Sequence, residues 1–221
     1  MKTESEELFE EICEKYGFPV ERIEEGDERR PDYEIYLSGI KVIVEVKQID
    51  VNDEEIRLLQ EMESGKIVSF QNEPGARVRT KIKSSSKQIA NLAKGKYPGI
   101  LVLYDNTPFA VGSHLESYNI KSGMYGLEQY ILNRPADLVD PINVIDAQFG
   151  PKRKMTMEHN TSISAVAVLS RTEDQVEFCL YHNCFSAIPL DPKIFLEYGI
   201  PQYCISKKRD REFQEWELVN G

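Results

Sequence analysis

With 221 residues, 41% hydrophobic and 29% charged, the chain has room for one α/β domain with a sizeable core and no need of two. It holds no run of eighteen apolar residues, which excludes a bilayer-spanning helix, and its acidic start, Met1 to Glu7, lacks the apolar segment of a secretory signal. Taken whole, a net charge of −10 argues against nucleic acid, because lysines and arginines supply most of the affinity for phosphates.

The predicted elements run as follows. Thr3 or Ser5 caps a first helix whose apolar stripe is Leu8, Phe9, Ile12, Cys13 and Tyr16, and Gly17 and Pro19 end it. After a charged turn, Pro31 to Leu37 alternates like a strand, Ser38-Gly39 makes a hairpin turn, and Ile40 to Ile49 reads as a strand covered on both faces. Asn52 or Asp53 caps a second helix reaching about Ser64. Lys66 to Gly75 is expected to be a short strand and a loop, and a basic helix runs from about Arg77 or Ser84 to Lys94. Ile100 to Asp105 is a strong strand. Residues 106–162 are turn-rich, with one helix expected near Leu127–Leu132. Ile163 to Ser170 and Val176 to His182 form a hairpin, and turns dominate from Pro189 onward. This order is an α/β pattern with a mixed sheet in a single domain, 1–221. Cys13, Cys179, Cys184 and Cys204 show no CxxC pair and no His at finger spacing, so reduced thiols in a cytoplasmic protein are expected.

Charge is unevenly spread. Residues 1–60 carry 18 acidic and 8 basic side chains, whereas residues 66–96 carry 8 basic ones and only Glu73 against them. Such polarity offers either one basic face to a nucleic-acid backbone, with Arg77, Arg79, Lys81, Lys83 and Lys87 as its contacts, or a solvated helix face.

The chemistry-bearing constellation lies in the hairpin. Period-2 alternation sets Val42, Val44 and Val46 on one face of the second strand and Ile43, Glu45 and Lys47 on the other. Charges inside such an apolar strand must pair, bind a metal or face a cleft. Asp32 opens the neighbouring strand, where pairing brings its carboxylate beside Glu45. Two carboxylates beside a lysine suit Mg²⁺ or Mn²⁺ chemistry on a phosphodiester: the acids hold the ion, and the ammonium orients water or neutralises charge. The plain alternative is a structural Glu45–Lys47 ion pair.

Pro31-Asp32, twelve residues, then Glu45-Val46-Lys47 resembles the core motif of the PD-(D/E)XK nuclease superfamily over roughly residues 3–105. The resemblance implies a restriction-endonuclease-like fold, a mixed central sheet flanked by helices; the chain departs from it by an insertion expected near 52–76, and residues 106–221, with no linker before them, are expected to extend the same domain. It implies Asp32 and Glu45 as metal ligands and Lys47 as the catalytic lysine. Glu6-Glu7-Leu8-Phe9, closing at Tyr16-Gly17-Phe18, looks like the opening of archaeal Holliday-junction resolvases, which selects Glu6 as a third ligand; Glu10 is the second choice. Gln88 stands where related members place a polar residue on the later helix, while Gln48 is expected on the other face. Asp191-Pro192-Lys193 matches the loose motif, but its proline bars it from a central strand. His182 at a strand end either lines the cleft or is structural. Implied partners are DNA, with RNA open, and a homodimer. The alternative is a non-catalytic nucleic-acid- or protein-binding member of the same fold. No GxGxxG, Walker A loop, GxSxG or HExxH is present.

Overall fold

Helix α1 (Glu4–Tyr16) opens on a reciprocal cap. Thr3 Oγ1 accepts from the Glu6 amide while the Glu6 carboxylate accepts from the Thr3 amide, and Gly17 closes the helix in the left-handed region. This is a computed structural model, and it describes residues 2–24, 26, 29–134, 141–172, 175–206 and 211–220. The chain continues through β1 (Val20–Arg22), β2 (Tyr33–Leu37) and β3 (Ile40–Ile49). Ser38 and Gly39 join β2 to β3 with φ of 48° and 80°, the positive values that a two-residue hairpin turn demands. α2 (Asp53–Glu63) begins on a second reciprocal cap, Asn52 with Glu55. α3 (Ala76–Ala93) and β4 (Gly99–Asp105) follow, then a 3₁₀ turn (Phe109–Val111) and α4 (Ser117–Tyr125). The remainder is β5 (Glu128–Leu132), β6 (Val144–Phe149), β7 (Ala165–Arg171), β8 (Val176–His182), α5 (Lys193–Leu196), β9 (Gln202–Cys204) and β10 (Glu217–Leu218).

Among the described residues, eight strands form one mixed sheet in the order β1-β2-β3-β4-β7-β8-β9-β10, and β5 and β6 form a separate antiparallel pair. The centre, β3-β4-β7, is parallel, with Glu45 level with Leu101 and Lys47 with Leu103. Each face of this sheet is covered. Leu8, Phe9 and Ile12 of α1 and Phe195 of α5 pack against Val42, Val44, Val102 and Ala167. On the opposite face Val78, Ile82 and Ile89 of α3 and Ile120 and Met124 of α4 pack against Ile43, Leu101, Leu103 and Val166. The alternation read along Val42 to Lys47 therefore holds, and it directs Glu45 towards the α3 side. All four cysteines are unbonded, and no described helix is long and apolar enough to cross a membrane.

Two expected elements differ. In place of the helix expected near Leu127–Leu132, Glu128–Leu132 form strand β5: Gly126, at φ 101°, stops α4, and these five residues find a ladder partner in β6. The strand expected within 66–75 is absent; these residues are a loop with Ile67 fully exposed, because no neighbouring strand edge meets them. The basic helix starts at Ala76, and Asp191-Pro192-Lys193 lies at the entry to α5, outside any strand.

Candidate active site

The hairpin register builds the site. Tyr33 pairs with Val44, and the Asp32 amide donates to the Val44 carbonyl at 3.1 Å, so one further step sets Asp32 opposite Glu45. Residues directly opposite in an antiparallel pair share a face, with Cβ atoms about 5 Å apart. Beyond that point β2 offers β3 no further ladder partner, and Asp32 Oδ2 accepts from the Val46 amide at 2.7 Å. This bond fixes the Asp32 carboxylate at the strand end. Burial raises the Asp32 pKa against the lowering pull of the Val46 amide and Lys47, and the nearby Glu6 adds to the rise.

Glu45 is wholly buried. The Lys47 ammonium touches its Oε1, but neither carboxylate oxygen receives a hydrogen bond of acceptable geometry. Burial and the neighbouring Asp32 push Glu45 up to about 7, while Lys47 and the Gln88 amide lie near enough to favour its charged form. Keeping a wholly buried carboxylate charged beside a second carboxylate is costly unless the group is protonated or cations compensate it.

Above this pair opens a cleft of about 680 Å³, lined on the β3 side by Lys47, Gln48 and Asp50. Glu6 reaches it from the start of α1, but its carboxylate is engaged: Oε1 accepts from Arg22 at 2.9 Å and Oε2 serves the helix cap. Glu10 is held by Lys2 and Tyr33 and does not line the cleft. Gln88 projects from α3 into the cleft and donates to the Arg30 carbonyl at 3.0 Å. Among the described residues, no three His, Cys, Asp or Glu side chains converge as a metal group. The available donor set is the pair Asp32 and Glu45. That pair fits a hard divalent ion, which takes one or two carboxylates and fills its other positions with water and substrate oxygens.

The basic residues divide. Arg79 is buried, bound to Glu73 and to the Pro74 carbonyl, and so anchors the loop before α3 instead of facing a ligand. Arg77 pairs with Glu55 and with the Asp50 carbonyl. Lys81 is half-buried near Asp50 and Lys47; burial and Arg77 lower its pKa. Lys83 and Lys87 are exposed on α3.

Sequence reasoning missed Arg29 and Arg30, which line the mouth of the cleft from the β1–β2 loop. Neither has an ion-pair partner among the described residues, and the Arg30 guanidinium lies against Gly26, where an added Cβ would stand 3.2 Å from it. Two consecutive arginines just ahead of Pro31-Asp32 were the available signal. Gln48 also lines the cleft; its amide donates to Asp50 at 2.6 Å and its oxygen accepts from the Ser5 amide. His182 is buried and hydrogen-bonded to Gln202 at 2.8 Å, a structural residue joining β8 to β9. Compared with known proteins, the chain matches no family model, no curated protein and no solved structure, so the site stands on its own geometry.

Proposed function

We propose that this chain is a metal-dependent nuclease of the restriction-endonuclease-like fold that hydrolyses DNA phosphodiesters, in the manner its PD-(D/E)XK-like motif implies. The observation that carries the reading is Glu45. A wholly buried carboxylate, compensated by the Lys47 ammonium alone among the cations of the described residues, sits beside Asp32 beneath an open cleft. Asp32 and Glu45 would hold the ion, and Mg²⁺ or Mn²⁺ bound there would supply a water of lowered pKa and offset charge on the scissile phosphate. Lys47, with 28% of its side chain exposed, neutralises Glu45 in the metal-free chain and turns to the phosphate or the attacking water when substrate is present. Arg29 and Arg30 grip the backbone at the cleft mouth, with Lys81, Lys83 and Lys87 extending the basic surface along α3. Gln88 ties the arginine loop to that helix. RNA is a second candidate substrate, and a homodimer would supply the two sites that cutting both strands of a duplex requires.

The Lys47–Glu45 contact also supports a second reading, a non-catalytic binding module in which the two are a permanent ion pair. Cleavage of supercoiled, linear, single-stranded and branched DNA with Mg²⁺ or Mn²⁺ separates the two. Wild type should cut at least one substrate, and Lys47→Ala and Asp32→Ala should each lose at least a hundredfold in rate, the scale of removing one transition-state donor. No cutting of any substrate, with DNA binding unchanged in both variants, would replace the enzyme by the binding module.

A further inference from the structure

A second cleft, of about 520 Å³, opens at the carboxyl ends of β4 and β7, with Phe109 on its rim. Phe109 is fully exposed, at 101%. A lone exposed apolar side chain is ordinary, but this one is carried by a rigid turn. Asp105 Oδ1 accepts from the Thr107 amide and hydroxyl, and Oδ2 accepts from the His114 amide at 2.6 Å. Within the turn, the Val111 and Gly112 amides donate to the Pro108 and Phe109 carbonyls. The hydrogen bonds fix the backbone from which the phenyl ring projects into water.

The chemistry of the cleft narrows its occupant. Tyr104 and Leu169 give it apolar wall, and Asp105 and Glu116 give it carboxylates. Arg171, the cation of this lining, is 3.5 Å from Glu4. A site without an unpaired cation is poor for phosphate and suits a flat, neutral ring with amino groups at its edge. One hydrogen bond and one strand register place this cleft next to the candidate active site. Asp50 lines the first cleft and accepts from Asn106 Nδ2 at 3.0 Å, and the next residue, Thr107, lines the second. Asp105 pairs with Ile49, two residues beyond Lys47 and one strand across, roughly 8 Å away in strand geometry.

We propose that Phe109 and its cleft bind an unpaired nucleobase of the same strand that passes over Asp32, Glu45 and Lys47. This rests on the nuclease reading for its substrate but names a separate site. A base still stacked in a duplex cannot lie on the ring, so the proposal assigns single-stranded or branched DNA, not continuous duplex, as the preferred ligand.

The test measures binding in EDTA, where no cutting complicates it, using single-stranded oligonucleotides that carry 2-aminopurine at successive positions. Wild type should alter 2-aminopurine fluorescence at one or two adjacent positions. Phe109→Ala should abolish that signal and weaken single-strand binding about tenfold, within the range of one lost base–aromatic stack, while duplex binding is unchanged. Phe109→Trp should restore binding, and Phe109→Leu, apolar but unable to stack, should not. The side chain is exposed, so these variants leave the core intact. Equal single-strand binding by wild type and Phe109→Ala overturns the base site even if metal-dependent cutting is seen, and so does a Phe109→Leu variant that binds as wild type. A Phe109-dependent 2-aminopurine signal from a protein that cuts nothing keeps the base site and removes the nuclease reading.

Discussion

Glu45 carries a conflict that the rest of its strand does not share. Ile43 and Leu101 on the same face are apolar, Asp32 beside it carries a second carboxylate, and one lysine offsets part of its charge. Its folded pKa, pushed up to about 7 by burial and Asp32, lies above the ordinary 4.5. Protonation therefore favours the fold: this contribution is fully present below about pH 4.5 and is lost as pH rises through 7. The buried Asp32 carboxyl is shifted in the same direction. Glu45→Gln keeps the shape of the side chain and cannot ionise, so in EDTA it should melt higher than wild type at pH 8, by several degrees, and match it near pH 5. Thermal unfolding across that range checks this. Parallel curves for the two proteins would mean that Glu45 is fully compensated by Lys47, which is the condition of a structural ion pair.

At the scale of elements, the β1–β2 loop and α3 act together. The loop presents Arg29 and Arg30 without carboxylate partners among the described residues, and Gln88 on α3 holds the Arg30 carbonyl. If both arginines meet phosphates, Arg29→Ala with Arg30→Ala should lower the slope of log affinity against log salt by roughly 0.7–0.9 per lost contact. Gln88→Ala removes no charge; it should weaken binding a few-fold through loosening of the loop while the slope stays as in wild type. Salt titrations of oligonucleotide binding distinguish the two effects, and an unchanged slope in the double variant would move the phosphate contacts to α3. This division of labour was only partly legible in the sequence. The hairpin, both sheet faces and the Asp32–Glu45–Lys47 face follow from period-2 alternation, which local sterics enforce. Arg79 and Arg29 look alike in a charge count, because what separates them, a buried guanidinium tied to Glu73 against one lining an open cleft, is tertiary. Strand β5 was hidden for a related reason: five residues declare themselves a strand only through β6, which pairs with them from across a long connection.

For the whole molecule, pH acts through opposing terms. A net charge of −10 means that mild acidification relieves self-repulsion, and protonation of Glu45 adds to that gain. His182 works against both. It is buried between β8 and β9, its ring bonded to Gln202, and burial lowers its pKa below 6.5. The unfolded chain binds a proton there before the folded one does, so the stability that neutral His182 contributes is present above pH 6.5 and is lost as pH falls towards its folded value. Because the other terms run the opposite way, the His182 contribution need not show as a fall in the wild-type curve. It should show as a difference: His182→Gln, which retains a partner for Gln202 and cannot charge, should gain stability relative to wild type as pH drops from 6.5 to 5. Glu45→Gln should lose its advantage over the same interval. Denaturant unfolding of the three proteins at pH 5, 6.5 and 8 reads both limbs at once. A His182→Gln difference that stays constant over pH would mean that the imidazole titrates alike in both states and that the β8–β9 junction admits its charge.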